Sequence, residues 1–145
     1  MNNIIKVLLV VFISFLSSPS WSETFEDLVE RDGLYYKKFT EVPFNGKISG
    51  YFTGNIKNGQ LDGLWKEYYE NGQLKRKGIF KDGLENGLTV FYHENGQLLF
   101  KGNIKEGKWE GTSERYYETG QLHERGTYKN GKKEGLWKVY HKNSQ

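Results

Sequence analysis

Few side chains in this sequence have the chemistry of catalysis or metal binding, and their spacing keeps them apart. The three histidines are His93, His123 and His141. His93 and His141 occupy a recurring position that is elsewhere Tyr69 and Tyr117, so we interpret them as aromatic fillers rather than metal ligands. The chain has no cysteine, which excludes disulfides, thiolate metal sites, a cysteine nucleophile and a lipoprotein acyl anchor.

Carboxylates recur as Glu70, Glu94 and Glu118, each just before an Asn-Gly or Thr-Gly pair. A glycosidase needs two carboxyl groups about 5–10 Å apart whose environments separate their pKa values. Carboxylates at the tips of similar turns share one exposed environment, so we interpret them as solvated turn residues. No nucleophile elbow and no phosphate-binding glycine loop occurs either. The sequence therefore predicts a protein that is not an enzyme and has no cofactor or metal.

Aromatic residues make up 16% of the chain, and they are the main indication of a binding site. Rigid aromatic side chains on an open sheet are favoured anchors for a protein interface or a sugar ring. They can equally stack along the sheet and only stiffen it, and the sequence leaves both interpretations open. The candidate partner-binding face comprises Trp65, Tyr69, Phe91, Trp109, Tyr117 and Trp137.

Lysines recur as Lys57, Lys81, Lys105 and Lys129, and the formal net charge is +3. A basic face interleaved with aromatic residues can bind anionic lipid, anionic glycan or single-stranded nucleic acid. Acidic residues are interspersed with the basic ones, and so small a net charge is not typical of a nucleic-acid-binding protein. We therefore expect no nucleic-acid partner, whereas a membrane surface or a cell-wall glycan remains an alternative.

A repeat of 24 residues organises the chain from residue 54 onwards. The predicted units are 54–77, 78–101, 102–125 and a shortened 126–145. Tyrosine, lysine, glutamine and leucine recur with the same period as glycine. The glycine columns are Gly54, Gly78, Gly102 and Gly126; Gly59, Gly83, Gly107 and Gly131; Gly63, Gly87, Gly111 and Gly135; and Gly72, Gly96 and Gly120.

Each unit predicts a β-hairpin. Residues 64–69 alternate as a half-buried strand does, and Asn71-Gly72 is a hairpin signal because both residues tolerate positive φ. Residues 73–81 form the return strand, and a second turn begins at Asp82-Gly83 and closes at Gly87. Two strands and two turns fill 24 residues, so the prediction is all-β: an elongated, single-layer antiparallel β-meander.

The mid-strand glycines suggest how the units pack. A glycine inside a strand weakens it unless an aromatic ring lies over the bare backbone. We expect a ring from the tyrosine or tryptophan columns to do this, and neighbouring units to stabilise one another. The predicted structural core comprises Tyr68, Tyr92, Tyr116, Tyr140, Leu74, Leu98, Leu122, Gly78, Gly102 and Gly126.

Residues 1–22 have the features of a secretory signal peptide. Lys6 precedes a stretch of 10 apolar residues, and small residues follow, with Ser20 and Ser22 at positions −3 and −1 of a cut before Glu23. The apolar stretch is shorter than the roughly 20 residues of a membrane-spanning helix. An uncleaved anchor is the alternative. Cleavage predicts a periplasmic or secreted protein.

Residues 23–53 differ from the array and predict an N-terminal cap with a degenerate repeat. Residues 24–32 suggest a short capped helix ending at Gly33, with Phe25, Leu28 and Val29 on one side. A strand over 34–39 follows, and NGKISG at 45–50 mimics NGQLDG at 58–63. We expect this segment to cover the first edge of the sheet, which would otherwise be unpaired.

The run GLWKEYYENGQL at 63–74, followed by GIFKDG at 78–83 and by Gly87, resembles the bacterial variant of the MORN repeat, as in proteins labelled YwqK-family antitoxins. The resemblance covers residues 54–145 closely and 34–53 loosely. It implies an elongated β array used as a binding surface, and the antitoxin label implies neutralisation of a toxin by protein contact. It brings no catalytic residue.

Together these features predict an exported, non-enzymatic repeat module that binds a protein partner through an open sheet face. The partner would be a toxin, making this an antitoxin or immunity protein, or an envelope component, making it a scaffold. The alternative is association with anionic lipid or cell-wall glycan.

Overall fold

The computed structural model describes residues 22–142, and most of them lie in β-strands joined by tight turns. The predicted all-β fold is confirmed. The predicted signal peptide lies almost wholly outside the described residues. The strands are β1 (Leu28–Arg31), β2 (Leu34–Lys37), β3 (Gly46–Ile48), β4 (Phe52–Lys57), β5 (Gln60–Tyr68), β6 (Leu74–Lys81), β7 (Leu84–Glu85), β8 (Gly87–Tyr92), β9 (Leu98–Lys105), β10 (Lys108–Tyr116), β11 (Leu122–Lys129) and β12 (Lys132–Val139).

Ten of these strands form one antiparallel sheet in which neighbours in sequence are neighbours in space. Its order is β3-β4-β5-β6-β8-β9-β10-β11-β12, and the two-residue β7 pairs with β6 just before β8 does. Strands β1 and β2 form a separate hairpin. Because β7 and β8 both pair with β6 and every other strand of this sheet pairs with its neighbours in sequence, the array is the predicted meander of hairpins.

The two kinds of turn in each repeat differ in geometry. At Asp82-Gly83 both residues have positive φ (50° and 79°), as a two-residue hairpin turn requires. At Asn71-Gly72 only the glycine does (80°), so this hairpin does not use a two-residue turn with positive φ at both positions. The Asn71 carboxamide instead accepts a hydrogen bond from the Gln73 amide at 2.9 Å, which holds a longer loop.

A bulge interrupts the pairing at the third glycine column. On β5, Asp62 pairs with Asn55 and Lys66 with Thr53, so three residues of β5 lie opposite the single residue Gly54. The two additional residues form an even insertion, which preserves the alternation of side chains between the faces. The corresponding glycine of the next unit, Gly87, therefore begins β8 and does not close the preceding turn as predicted.

The predicted N-terminal helix is wrong beyond its first turn. A single 3₁₀ turn spans Phe25–Asp27, and the Asp27 carboxylate accepts hydrogen bonds from the amide and hydroxyl of Thr24, both at 2.8 Å. The chain then enters the β1–β2 hairpin, whose turn at Asp32-Gly33 has two positive φ angles. The hairpin turn therefore outweighed the weak helical spacing of apolar residues.

The N-terminal segment covers an edge of the sheet, as predicted, and also one of its faces. At the edge, the Glu23 amide donates to the Lys47 carbonyl (3.2 Å), and the Ser49 amide donates to the Glu23 carbonyl (2.8 Å). Over the face, Leu28 is buried with residues of the first strands. The buried cluster comprises Leu28, Ile48, Ile56 and Trp65, with Phe25, Tyr35, Phe44, Leu61 and Phe80 packed around it.

Within residues 22–142, no helix has the length and apolar character needed to cross a membrane.

Candidate binding faces of the sheet

The strand register divides the side chains of the sheet into two faces of different character. One face, here the aromatic face, carries Phe52, Trp65, Phe80, Phe91, Phe100, Trp109, Tyr128 and Trp137. Its strand charges are balanced: Glu67, Glu85 and Glu124 against Arg76, Arg115 and Lys133. The four mid-strand glycines also lie on this face.

Large side chains cover the mid-strand glycines, and tryptophan rather than tyrosine supplies the ring. A Cβ atom at Gly54 would overlap the indole of Trp65, and one at Gly126 would overlap that of Trp137. At Gly102 the ring comes from Trp109, whose atom Cζ3 lies 3.1 Å from the position of such a Cβ. The sequence therefore anticipated the covering ring but left open which column provides it.

Two columns of the repeat share this covering role. Residues 65, 89, 113 and 137 are Trp, Thr, Ser and Trp, whereas residues 61, 85, 109 and 133 are Leu, Glu, Trp and Lys. Where the first column holds the small Ser113, the second holds Trp109. Where the first holds Thr89, the carboxylate of Glu85 fills the space above Gly78. The covering side chain therefore comes from one column or the other in each repeat, because the close packing leaves room for only one large group over each glycine.

Three of the recurring aromatic residues tie neighbouring repeats together. The Tyr69 hydroxyl donates to the Tyr92 carbonyl at 2.7 Å, and the Tyr117 hydroxyl donates to the Tyr140 carbonyl at 3.0 Å. His93 Nε2 lies 3.1 Å from the Tyr116 carbonyl, which can only accept, so this nitrogen carries the proton. The candidate anchors Tyr69 and Tyr117 thus lie in loops after their strands, with their hydroxyls already engaged.

The predicted core tyrosines lie at the ends of their strands. Tyr68, Tyr92 and Tyr116 pair with Leu74, Leu98 and Leu122 across the hairpins, and all six are half-buried, as is Tyr140. Their surroundings are polar on one side, because Tyr116 Oη donates to Glu114 Oε2 at 2.6 Å. Whether this column contributes most of the stability stays a prediction.

Glu114 is the centre of a charge cluster on the opposite side of the sheet. Lys101 Nζ lies 2.7 Å and Arg125 Nε 3.4 Å from its carboxylate. The hydrogen bond from Lys101, with that from Tyr116, lowers the pKa of Glu114 below its ordinary value. The same bond to Glu114 raises the pKa of Lys101, and burial raises the pKa of Tyr116.

This opposite side, here the basic face, is positively charged and carries exposed aliphatic residues. Leu64, Leu88 and Leu136 follow the bulge glycines and are 52%, 47% and 80% exposed. The face holds the acidic residues Asp62, Glu110, Glu114 and Glu134. They are outnumbered by Lys57, Lys66, Lys77, Lys81, Lys101, Lys105, Lys108, Arg125, Lys129, Lys132 and Lys138.

A cleft of about 320 Å³ opens on the N-terminal part of the aromatic face. Phe25 and Tyr35 of the N-terminal segment form one side of it. The Phe25 ring lies 5.5 Å from the Trp65 ring and 5.6 Å from the Phe52 ring, centroid to centroid. Trp65 is only 6% exposed, so this candidate anchor is not available as an exposed contact. The first cleft is lined by Phe25, Tyr35, Phe52, Leu61, Trp65, Lys66, Glu67, Arg76, Gly78 and Phe80.

A second cleft of about 270 Å³ lies farther along the same face. Its lining residues Phe100, Trp109, Arg115 and Tyr128 are the equivalents of Phe52, Leu61, Glu67 and Phe80, displaced by two repeats. Phe91 and Leu99 complete it. The N-terminal segment, which supplies Phe25 and Tyr35 to the wall of the first cleft, supplies no lining residue to the second.

No group of three or more His, Asp or Glu side chains in the described part of the chain could hold a metal ion. Glu70, Glu94 and Glu118 are exposed at the loop tips.

These features define a class of protein: a linear array of β-hairpin repeats whose units bury apolar surface against their neighbours. The model of the MORN repeat variant matches three consecutive segments of the chain, residues 61–82, 85–106 and 109–130. Successive matches begin 24 residues apart, which confirms the period read from the sequence. MORN repeats often mediate binding to proteins or membrane lipids, and the chain fits a binding repeat module. No curated protein matches the chain.

Proposed function

We propose that the protein is an exported, non-enzymatic module that binds a protein partner on the open part of its aromatic face. The partner is a toxin, as for an antitoxin or immunity protein, or an envelope component that the array holds in place. The observation that carries this proposal is the uncovered row of rings around the second cleft.

These rings are preorganised for binding. Centroid distances join Phe91 to Phe100 (6.1 Å), Phe100 to Trp109 (5.0 Å), Trp109 to Tyr128 (6.1 Å) and Tyr128 to Trp137 (5.1 Å). Aromatic side chains lose little conformational entropy on binding and bury much area, which makes them frequent interface hot spots. Because strands hold these rings, little ordering cost remains for the association.

The test is capture of partners by the tagged protein in the envelope fraction of its source, with a double variant Trp109→Ala/Tyr128→Ala. We expect the variant to lose a stoichiometric partner while its β circular dichroism spectrum is retained. The matched control is Leu88→Ala/Leu136→Ala on the basic face, which should keep the partner. Equal capture by the wild type and the aromatic double variant would contradict the proposal.

Export has its own test. We expect the protein, produced with a C-terminal tag, to be recovered outside the cytoplasm with Glu23 as its first residue. This rests on the short apolar stretch and the small residues before Glu23. Amino-terminal sequencing after fractionation provides the measurement, and a cytoplasmic product that retains residues 1–22 would contradict export.

A second candidate function is supported by the charge asymmetry of the sheet. Lysines on the basic face surround exposed leucines, a combination that suits anionic lipid or an anionic cell-wall glycan. We expect sedimentation with phosphatidylglycerol vesicles at low salt, less at 0.5 M salt, and little with neutral vesicles. Leu64→Ser/Leu88→Ser should weaken lipid binding, whereas Trp109→Ala/Tyr128→Ala should not. Sedimentation with isolated, lipid-free wall material in place of the vesicles would indicate that the ligand is a glycan and not a lipid.

A further inference from the structure

The two clefts of the aromatic face share four equivalent wall positions, and the chain itself shows which kind of side chain packs against the first. Phe25 packs edge-on against Phe52 and tilted against Trp65, and it lies among Tyr35 and the walls of the first cleft. Phe25 belongs to no repeat, so it acts there as a ligand that the chain supplies to its own array. The second cleft has four of the same wall positions, with Trp109 as its indole, and no ring from the N-terminal segment.

We propose that the second cleft receives an aromatic side chain of a partner protein, in a segment that also presents a carboxylate. This inference rests on the proposed function and specifies the chemistry of the partner. The cleft volume of about 270 Å³ is sufficient for a ring, because an apolar cavity of about 150 Å³ accommodates benzene. Its walls Phe91, Phe100, Trp109 and Tyr128 provide the ring edges and faces that an incoming aromatic group prefers.

The charge of the second cleft indicates the carboxylate. The first cleft carries Glu67 opposite Arg76, and the equivalent residues of the second are Arg115 opposite Glu124, so the order of charge is reversed. Glu124 is engaged by Lys133, whose Nζ lies 2.7 Å from its carboxylate. Arg115 Nε is 3.9 Å from Glu124, beyond hydrogen-bond distance.

Arg115 is therefore available to a second anion. Its side chain is 48% exposed, and its guanidinium lies 5.5 Å from the centroid of the Phe100 ring, at the wall of the cleft. A planar guanidinium in that position can stack on the ring and still bind a carboxylate in two-point fashion. A phenylalanine or tyrosine followed by Asp or Glu would place its ring in the cleft and its charge on Arg115.

The chain contains a segment of this composition, which provides the probe. Residues 22–29, SETFEDLV, carry Phe25 followed by Glu26 and Asp27. The experiment titrates a fluorescein-labelled SETFEDLV peptide with the full chain and follows fluorescence anisotropy. We expect saturable binding that is lost when the peptide phenylalanine is alanine. Arg115→Glu should weaken binding at least tenfold, and Arg115→Gln by less.

A charge exchange tests the contact directly. A peptide in which lysines replace both acidic residues after the phenylalanine should bind Arg115→Glu better than it binds the wild type. Arg125→Glu on the basic face is the matched control and should leave affinity unchanged. Absence of saturable binding at millimolar peptide, or binding that persists without the phenylalanine or is equal for Arg115→Glu, would overturn the inference.

A second copy of the chain is the other possible occupant, because its own residues 22–29 carry the same chemistry. Analytical ultracentrifugation that showed Arg115-dependent self-association would overturn the assignment to a separate partner. Failure of the peptide test leaves the proposed function standing if Trp109→Ala/Tyr128→Ala still abolishes capture of a partner. If the peptide does not bind and the double variant still captures the partner, the proposed function is contradicted as well.

Discussion

The covered and open halves of the aromatic face are built from equivalent positions of one repeat, yet their residues have different surroundings. Trp65 and Trp137 each cover a glycine. The Trp65 indole nitrogen donates to the Asn55 carbonyl at 3.2 Å, and the ring is buried. Trp137 is half-buried, and its indole nitrogen has no hydrogen-bond partner among the described residues.

The difference arises outside the repeats. Residues 22–44 are not repeated, and they place Phe25 and Tyr35 over the first cleft only. The repeat therefore supplies the walls that the two clefts share, while the non-repeating segment adds two aromatic walls to the first cleft and buries Trp65. The β1–β2 hairpin packs only over the first strands of the described sheet, so the rest of the aromatic face stays available for binding.

The largest expected difference between the two halves is in the stability lost when the equivalent residues Trp65 and Trp137 are each replaced by alanine. We expect Trp65→Ala to lower the free energy of unfolding by about 3–5 kcal/mol, because it empties the buried cluster. Trp137→Ala, at the last strand and half-exposed, should cost about 1 kcal/mol. Urea unfolding followed by circular dichroism measures both. Equal losses would mean that the cap does not consolidate the first cleft.

The glycines beneath these rings should give the next largest effect. Gly54→Ala introduces a Cβ atom that overlaps the Trp65 ring, which the cap prevents from moving, so we expect a loss of about 2–3 kcal/mol. Gly126→Ala creates the same overlap with Trp137, but that ring can move towards solvent. We therefore expect Gly126→Ala to lower the free energy of unfolding by only about 1 kcal/mol.

A double variant separates overlap from loss of strand geometry. Gly54→Ala/Trp65→Leu should lose less stability than the sum of its two single changes, because removal of the ring relieves the overlap. Additive losses in urea unfolding would mean that the glycine is required for its backbone conformation alone.

The sequence predicted the period, the hairpins and the covering of mid-strand glycines, because each is a local or repeating requirement. The period places Trp109 in a different column from Trp65 and Trp137, but the bulge that brings both columns beside the same glycine appears only in the strand register. The exchange between Ser113 and Trp109 was a readable signal of that packing.

The cap was the part least open to prediction. Its helical spacing of Phe25, Leu28 and Val29 conflicts with the turn at Asp32-Gly33, and long-range contact with the sheet favours the turn. The burial of Trp65 depends on that contact, so its availability as an anchor could not be judged from the repeat alone. Engagement of the Tyr69 hydroxyl by the next repeat is likewise a contact across units.

Removal of the Phe25 ring should make the covered half resemble the open half. We expect Phe25→Ala to cost about 1–3 kcal/mol and to speed hydrogen exchange at the Trp65 indole N–H. The Trp109 and Trp137 indole signals should be unchanged, which provides an internal control. Two-dimensional NMR of the indole region measures all three. Unchanged protection at Trp65 would contradict the assignment of Phe25 as its cover.

The smallest expected effect is on the stability of the protein at acidic pH, and it should appear in the open half. The pKa of Glu114 is lowered in the folded state, mainly by the hydrogen bond from Lys101, so the group stabilises the fold above its ordinary pKa of 4.5. That contribution is lost as pH falls through the lower, folded-state pKa. Glu114→Gln should therefore cost less than about 1 kcal/mol at neutral pH and reduce the acid dependence of stability below pH 4.5. Unfolding measured between pH 3 and 7, with the indole signals as local probes, tests this. The Trp65 signal should respond to pH equally in the wild type and in Glu114→Gln, because Glu114 lies on a strand that the cap does not contact. If the substitution changed the pH response of Trp65 more than that of Trp109, the two halves would be coupled through the sheet.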